Sequence, residues 1–267
     1  MRPVRWSVPR SIRVADYDGG SELWFAGTQL SPAEFSRREA ARILDEWCEF
    51  FAAGPTPIKR LGFDTRLPNR LFESLVGQPQ LELLDIKWGD YADLQVLRAM
   101  AGLRSLHLGG SARFASLGSL SDLESLEALT IENAWHVHDF SPLGRVTSLK
   151  QLRVASHGRP GGRGHADSLA FVANLDGLNS LAWQPIVDDA DYSPLLALQT
   201  AEWIHVVGQP GMFPSYLELE WALPGVQAHE RALASQVIPI RGLDGEPIGE
   251  IRRDSDRRFR VHPNAFD

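Results

Sequence analysis

Leu81-Glu82-Leu83-Leu84-Asp85-Ile86, Leu103-Arg104-Ser105-Leu106-His107-Leu108 and Leu126-Glu127-Ala128-Leu129-Thr130-Ile131 are three copies of one hydrophobic phrase, L-x-x-L-x-L. Working outward, the phrase is met at Ile58/Leu61/Phe63 before them and at Leu149/Leu152/Val154, Leu178/Leu181/Trp183 and Ala201/Ile204/Val206 after them. The seven starts are 23, 22, 23, 23, 29 and 23 residues apart. Self-similarity at this period marks a solenoid, whose units cannot bury their apolar faces alone and must stack on one another. The last two apolar residues of each copy are spaced by two, so they share one side of a short strand while the residues between them face the other way.

A second apolar set follows each strand and closes the coil from its outer side: Leu94 and Leu97, then Leu117, Leu120 and Leu123, then Phe140, Leu143 and Val146, then Leu169, Val172 and Leu175, then Leu195 and Leu198. Two connectors repeat almost letter for letter, Asp139-Phe140-Ser141-Pro142-Leu143 and Asp191-Tyr192-Ser193-Pro194-Leu195. Proline suits the first positions of a helix, so short helical turns are expected on the outer side.

With the phrase and these connectors in hand, the chain resembles leucine-rich-repeat proteins, and the Asp-x-Ser-Pro-Leu segment is similar to that of internalin-like bacterial repeats. The resemblance covers roughly residues 58–210. It implies a curved α/β solenoid of about seven repeats with a parallel concave sheet. The sequence departs from the family where an asparagine usually follows the strand, because Gly89, Ser111, Ala134, His157, Ile186 and Gly208 stand there. These corners must satisfy their backbone groups by other means.

A solenoid exposes apolar edges at both ends, so the flanking segments are read as caps: residues 1–57 and 211–267 around an array at 58–210. At the front, Ile12-Arg13-Val14 and Leu23-Trp24-Phe25 around Gly19-Gly20 suggest a hairpin. Ser31-Pro32-Ala33-Glu34 then offers an N-cap, a first-turn proline and a third-position glutamate for a helix with Phe35, Ile43, Leu44, Trp47, Phe50 and Phe51 on its apolar face, ended by Gly54-Pro55. At the back, Tyr216 to Trp221 reads as a strand. Val237-Ile238-Pro239-Ile240 and Ile248-Gly249-Glu250-Ile251 bracket Asp244-Gly245 as a β-hairpin.

Composition bounds the function. With 43% hydrophobic and 23% charged residues, the chain carries enough apolar material for one continuous core. A net charge of −7 disfavours a grip on nucleic-acid phosphates, and Arg252, Arg253, Arg257, Arg258 and Arg260 are interrupted by Asp254 and Asp256. No apolar run of membrane-spanning length is found, and Met1 to Trp6 lacks the apolar core of a signal peptide, so no membrane partner and a cytoplasmic location are expected. The single cysteine, Cys48, lies beside the helix face and reads as a buried structural thiol. Arginine greatly outnumbers lysine, a bias of GC-rich bacterial genomes; only Lys59, Lys87 and Lys150 are present.

The outward positions of each phrase map the concave face. Its three rows are Arg60, Leu83, Ser105, Ala128, Gln151, Ser180 and Trp203; Gly62, Asp85, His107, Thr130, Arg153, Ala182 and His205; and Asp64, Lys87, Gly109, Glu132, Ala155, Gln184 and Val207. Equivalent positions on adjacent strands stand about 4.8 Å apart, so Asp64 should meet Lys87 and Asp85 should meet His107. Asp85, Lys87, Trp88 and His107 make one candidate partner-binding patch of mixed polar and aromatic character. Trp203 and His205 make a second, with Glu132 and Arg153 between the two. Trp183 occupies a buried slot. Seven strands give a face on the order of 500 Å², below the about 800 Å² that each side of a standard interface uses. A flank is therefore needed, and the Gly-rich stretch 157–165 in the 29-residue repeat is the candidate.

That stretch fits neither a P-loop nor a dinucleotide fingerprint. His136-Val137-His138-Asp139 clusters two histidines in one corner without identifiable further ligands, so neither metal nor cofactor is expected. Ser105, His107 and Asp85 share a face but have no evident oxyanion hole or enclosed pocket. The expectation is a non-catalytic module that recognises a protein partner through its concave face, as a cytoplasmic bacterial inhibitor or immunity-type protein. A self-associating structural subunit and a hydrolase using Ser105, His107 and Asp85 are the alternatives.

Overall fold

The protein is described here by a computed structural model, which covers residues 7–111, 113–156 and 163–228 in full, together with the backbone of strands 238–241, 247–253 and 259–263. Strands β1 (Arg10–Ser11), β2 (Glu22–Phe25), β3 (Arg60–Phe63), β4 (Leu83–Gly89), β5 (Ser105–Ser111), β6 (Ala128–Glu132), β7 (Gln151–Ala155), β9 (Ser180–Trp183) and β11 (Trp203–Val206) form one nine-stranded sheet. Every neighbouring pair in it is parallel. The register is that of the phrase. Leu23, Leu61, Leu84, Leu106, Leu129, Leu152, Leu181 and Ile204 lie side by side, as do Phe25, Phe63, Ile86, Leu108, Ile131, Val154, Trp183 and Val206. Both columns are buried and form the inner wall of the core. Between β7 and β9, the short strand β8 (His165–Ala166) pairs in parallel with β10 (Ile186–Val187) at a corner of the coil.

The outer wall is built from 3₁₀ turns at Gln95–Ala99, Gly118–Asp122, Ser141–Arg145, Ala170–Asn174 and Ser193–Ala197. Each starts the same way: the side-chain oxygen of Asp93, Ser116, Asp139, Ser168 or Asp191 accepts the backbone N–H two residues on, at 2.8 to 3.2 Å. A local bond of this kind competes with a regular helix and keeps the turn short. The apolar residues expected to close the coils from outside are all buried.

Side chains replace the missing asparagines at the corners. Ser111 Oγ donates to the Tyr91 carbonyl at 2.8 Å, Gln184 Oε1 accepts the Ser156 N–H at 3.0 Å, and Gln209 both accepts from the Val187 N–H at 2.8 Å and donates to its carbonyl at 2.7 Å.

Three sequence expectations are corrected at the ends. Residues 10–25 form no hairpin, because β1 and β2 run parallel and continue the sheet, with residues 14–16 in a 3₁₀ turn between them. Helix α1 (Arg37–Ala52), followed along the chain by the short α2 (Asn69–Ser74), takes its cap five residues beyond Ser31: Ser36 Oγ accepts the Glu39 N–H at 3.2 Å, so the second of two Ser-x-x-Glu phrases is the cap. Tyr216 to Trp221 lies in helix α3 (Tyr216–Ala222), where Ser215 and Glu218 form a reciprocal capping box that overrides the period-two pattern. The C-terminal hairpin is present as β12 (Ile238–Arg241) and β13 (Pro247–Arg253), antiparallel, and it gains a third strand, β14 (Phe259–Pro263). Its Asp244-Gly245 turn lies outside the described residues, as does most of the 157–165 stretch.

Helix α1 docks by Ile43, Trp47 and Phe51, all fully buried, with Phe35, Leu44 and Phe50 packed partly buried against the same core. Trp47 donates to the Ile12 carbonyl at 2.9 Å and packs edge-on to Phe25. Cys48 is buried, and burial pushes its thiol up from its ordinary pKa, which suits an inert packing role.

Candidate functional site

Because the strands are in phase, the outward rows form the grid that the sequence implies, and the polar pairs close across it. Lys87 Nζ stands 3.5 Å from Asp64 Oδ1, and Asp64 is held on its other oxygen by Arg10 at 2.7 Å. His107 Nδ1 lies 2.8 Å from Asp85 Oδ1. Its other nitrogen, Nε2, is buried and sits 3.6 Å from Glu132 Oε2, too long for a hydrogen bond but close for a charge. Asp85, His107 and Glu132 thus make a half-buried row across β4, β5 and β6. Burial alone would push the imidazole pKa down, but the Asp85 hydrogen bond and the charges of both carboxylates outweigh it and lift the value to about 9. His107 is an imidazolium at neutral pH.

That geometry bears on the hydrolase alternative. The nitrogen a catalytic triad would aim at serine faces Glu132 instead, and a protonated imidazole cannot act as a base. Ser105, His107 and Asp85 are neighbours in register without forming a relay.

Two regions frame the row. On the N-terminal side, Trp88 is 38% exposed, with the Arg66 guanidinium 5.9 Å from its ring centre, and Lys87 beside it is largely exposed. Arg10 lies over Trp24 at 4.6 Å in the same neighbourhood. On the C-terminal side, Arg153, Trp203 and His205 line a hollow of about 240 Å³ together with Gln151, Ser180 and Ala182. The eight residues singled out in the sequence therefore fall into three groups: Lys87 and Trp88 exposed, Asp85, His107 and Glu132 locked together, and Arg153, Trp203 and His205 around the hollow. Trp183 is in the core, edge-on to Phe140 at 5.0 Å, with its indole N–H buried without a hydrogen-bond partner.

Two features escaped the sequence reading. The second residue of the first five phrases builds a charge ladder at the entrance to the strands, in which Lys59 meets Glu82 at 2.7 Å, Arg104 meets Glu127 at 2.6 Å and Lys150 meets Glu127 at 3.3 Å. The alternation of sign at these positions was there to be read. At the β8–β10 corner, His138, Asp167 and Asp188 come together from three successive coils. Only the coil alignment makes them neighbours.

The stacked strand and 3₁₀ coils, with their phased leucine columns, define a leucine-rich-repeat solenoid. Among solved structures, the chain is similar to an internalin C2 from Listeria monocytogenes, at 18% identity over 57% of this chain and 63% of that one, with a TM-score of 0.41. It is also similar to an internalin (inlF) of the same organism, at 18% identity over 66% of each chain, with a TM-score of 0.32. The chain thus spans just under two-thirds of the length of each. No protein-family model and no curated protein matches it.

Proposed function

We propose that the concave sheet is a protein-recognition surface and that the chain works by non-covalent binding, without catalysis. The observation that carries this reading is the sheet itself: nine parallel strands in one register present an open face on which polar and aromatic side chains alternate with small ones, flanked by exposed Trp88 at one side and the Arg153, Trp203 and His205 hollow at the other. Nine strands raise the face to on the order of 650 Å², nearer to the share of a standard interface. The hollow, at about 240 Å³, falls below the range of about 300–1,000 Å³ that small-molecule sites occupy. Charges across the N-terminal part of the face are already paired, so recognition rests on shape and aromatic anchors more than on net charge. In this reading the array at 58–210 supplies seven strands of the binding face, the segment 1–57 caps it at the front while extending the sheet by β1 and β2, and 211–267 caps the back. A cytoplasmic bacterial inhibitor or immunity-type protein, covering one dedicated partner, is the specific role that fits. The lone buried cysteine and the arginine bias support that setting. No helix among the described residues is long and apolar enough to cross a membrane.

The test is affinity capture from bacterial lysate with three folded forms: the native chain, a Trp88→Ala/Trp203→Ala/His205→Ala variant, and an outer-face control, Arg98→Glu. One stoichiometric protein retained by native and control, and lost by the concave variant, is the expected result. Equal retention by all three overturns the concave site.

One observation favours self-association as a second reading. Phe213, Leu217 and Trp221, 66%, 50% and 78% exposed, cluster on and just before α3, whose other side buries Leu219 against the last coil. An apolar corner of this kind marks a contact surface. Under this reading, sedimentation mass rises with concentration and Trp221→Asp abolishes the rise; a constant monomer mass in the native chain removes it.

A further inference from the structure

The β8–β10 corner carries a set of side chains that the concave-face reading does not use. Val137, Ala166 and Val187 stack as buried residues of three successive coils. The backbone aligns them: Asp167 N–H donates to the His138 carbonyl at 3.0 Å and Asp188 N–H donates to the Ala166 carbonyl at 2.8 Å. The residue after each buried one therefore emerges on the same outer edge. In the two preceding coils that position is Ala92 and Ala115, then it becomes His138, Asp167 and Asp188. One imidazole nitrogen and two carboxylate oxygens of this triplet lie within 4.8 Å of one another. His165 adjoins them, its Nδ1 donating to Asp188 Oδ1 at 2.6 Å and its ring stacked at 6.4 Å on that of His138.

We propose that His138, Asp167 and Asp188 form a binding site for a divalent transition-metal ion, with His165 orienting the Asp188 carboxylate. Mixed imidazole and carboxylate donors suit Zn²⁺, Co²⁺ or Ni²⁺, whereas Ca²⁺ and Mg²⁺ prefer all-oxygen shells. Metal–ligand bonds of about 2.0–2.2 Å require the three donors to draw in by roughly 1 Å. All three side chains are exposed, so rotamer changes alone achieve this. Two carboxylates held together in a chain of net charge −7 gain from a dication between them. The Asp188–His165 bond is of the outer-shell kind that fixes a ligand's orientation. Three protein ligands leave the remaining coordination positions to water. Bound there, the ion clamps three coils at the point where the repeat lengthens from 23 to 29 residues.

The experiment is calorimetric titration of the full chain with Zn²⁺ at neutral pH, with Co²⁺ absorption as a second readout and thermal melting as a third. Native protein should take up one Zn²⁺ and melt higher with it. His138→Ala and Asp188→Asn should each weaken binding at least about tenfold and abolish the rise in melting temperature. His136→Ala, which alters the neighbouring exposed histidine of the same corner, should bind as the native chain does. Undetectable binding to the native protein overturns the proposal, as does binding that survives in both His138→Ala and Asp188→Asn. Binding of Ca²⁺ as tightly as Zn²⁺ overturns the assignment to transition metals.

Discussion

Replacing Gly109 by alanine is expected to destabilise the protein by about 3 kcal/mol or more, the penalty class of overpacking against an unyielding neighbour. A Cβ at this position would stand 1.9 Å from the Lys87 carbonyl oxygen and 2.4 Å from that of Ile86, both backbone atoms of the adjoining strand. Nothing flexible is there to give way. Gly109 sits on β5, and its carbonyl accepts the buried Tyr91 hydroxyl, so the β4–β5 pair is drawn close at this point and held there. Relief would require parting the two strands with the largest shared ladder in the sheet. Because each coil is supported only by its neighbours, a rupture at β4–β5 cuts the array near its middle. The expected readout is a melting temperature lower by roughly 6–12 °C, measured beside Gly102→Ala, where nothing lies within 4 Å of the added methyl. Indistinguishable melting of the two variants would show that the strands are not in this contact.

The second large effect is a dependence of stability on alkaline pH that runs through His107. Its folded-state pKa, about 9, is above its ordinary 6.5. The imidazolium is therefore bound more tightly by the folded state than by the unfolded chain. This stabilisation is complete below about pH 6.5 and is lost as pH rises through about 9, to an extent of about 3 kcal/mol. Denaturant unfolding of the native chain should show the decline, and His107→Gln should flatten it over the same window. Parallel profiles for native and variant would sink the assignment. The same variant should be weaker at neutral pH, since Asp85 and Glu132 then face each other across an uncharged side chain.

How far the sequence could be read follows from what each element depends on. The phrase from Ile58 to Val206 specifies strand, register and inner wall at once, because a period of two inside a period of 23 admits one stacking. The concave grid, including the Asp85–His107 and Asp64–Lys87 pairs, follows from it directly. The N-terminal strand β2 reads as one arm of a hairpin and not as a further coil because Gly20 stands where the first leucine of the phrase belongs, leaving Leu23 and Phe25 as an incomplete copy. The start of α1 and the very type of α3 depart from expectation for a different reason. Two Ser-x-x-Glu phrases compete before α1, and the alternating Tyr216-Leu217-Glu218-Leu219-Glu220-Trp221 satisfies a strand pattern, while a two-bond capping box decides otherwise. Glu132 stands on the map as one member of the third row among seven. Its bearing on the second nitrogen of His107 is a diagonal contact across strands, which rows of equivalent positions do not display.

The ladder of Lys59, Glu82, Arg104, Glu127 and Lys150 has a consequence for how such a chain can change in length. Repeat proteins grow and shrink by whole units. Here each unit carries the opposite sign to the one beside it, and loss of a single unit would set Glu82 against Glu127, or Lys59 against Arg104. Duplication of one unit would double a sign in the same way. Exposed pairs of this type contribute little individually, so the ladder biases and does not forbid. The sign pattern nevertheless gives this stretch a parity: insertions and deletions of two coils restore it, and those of one coil break it.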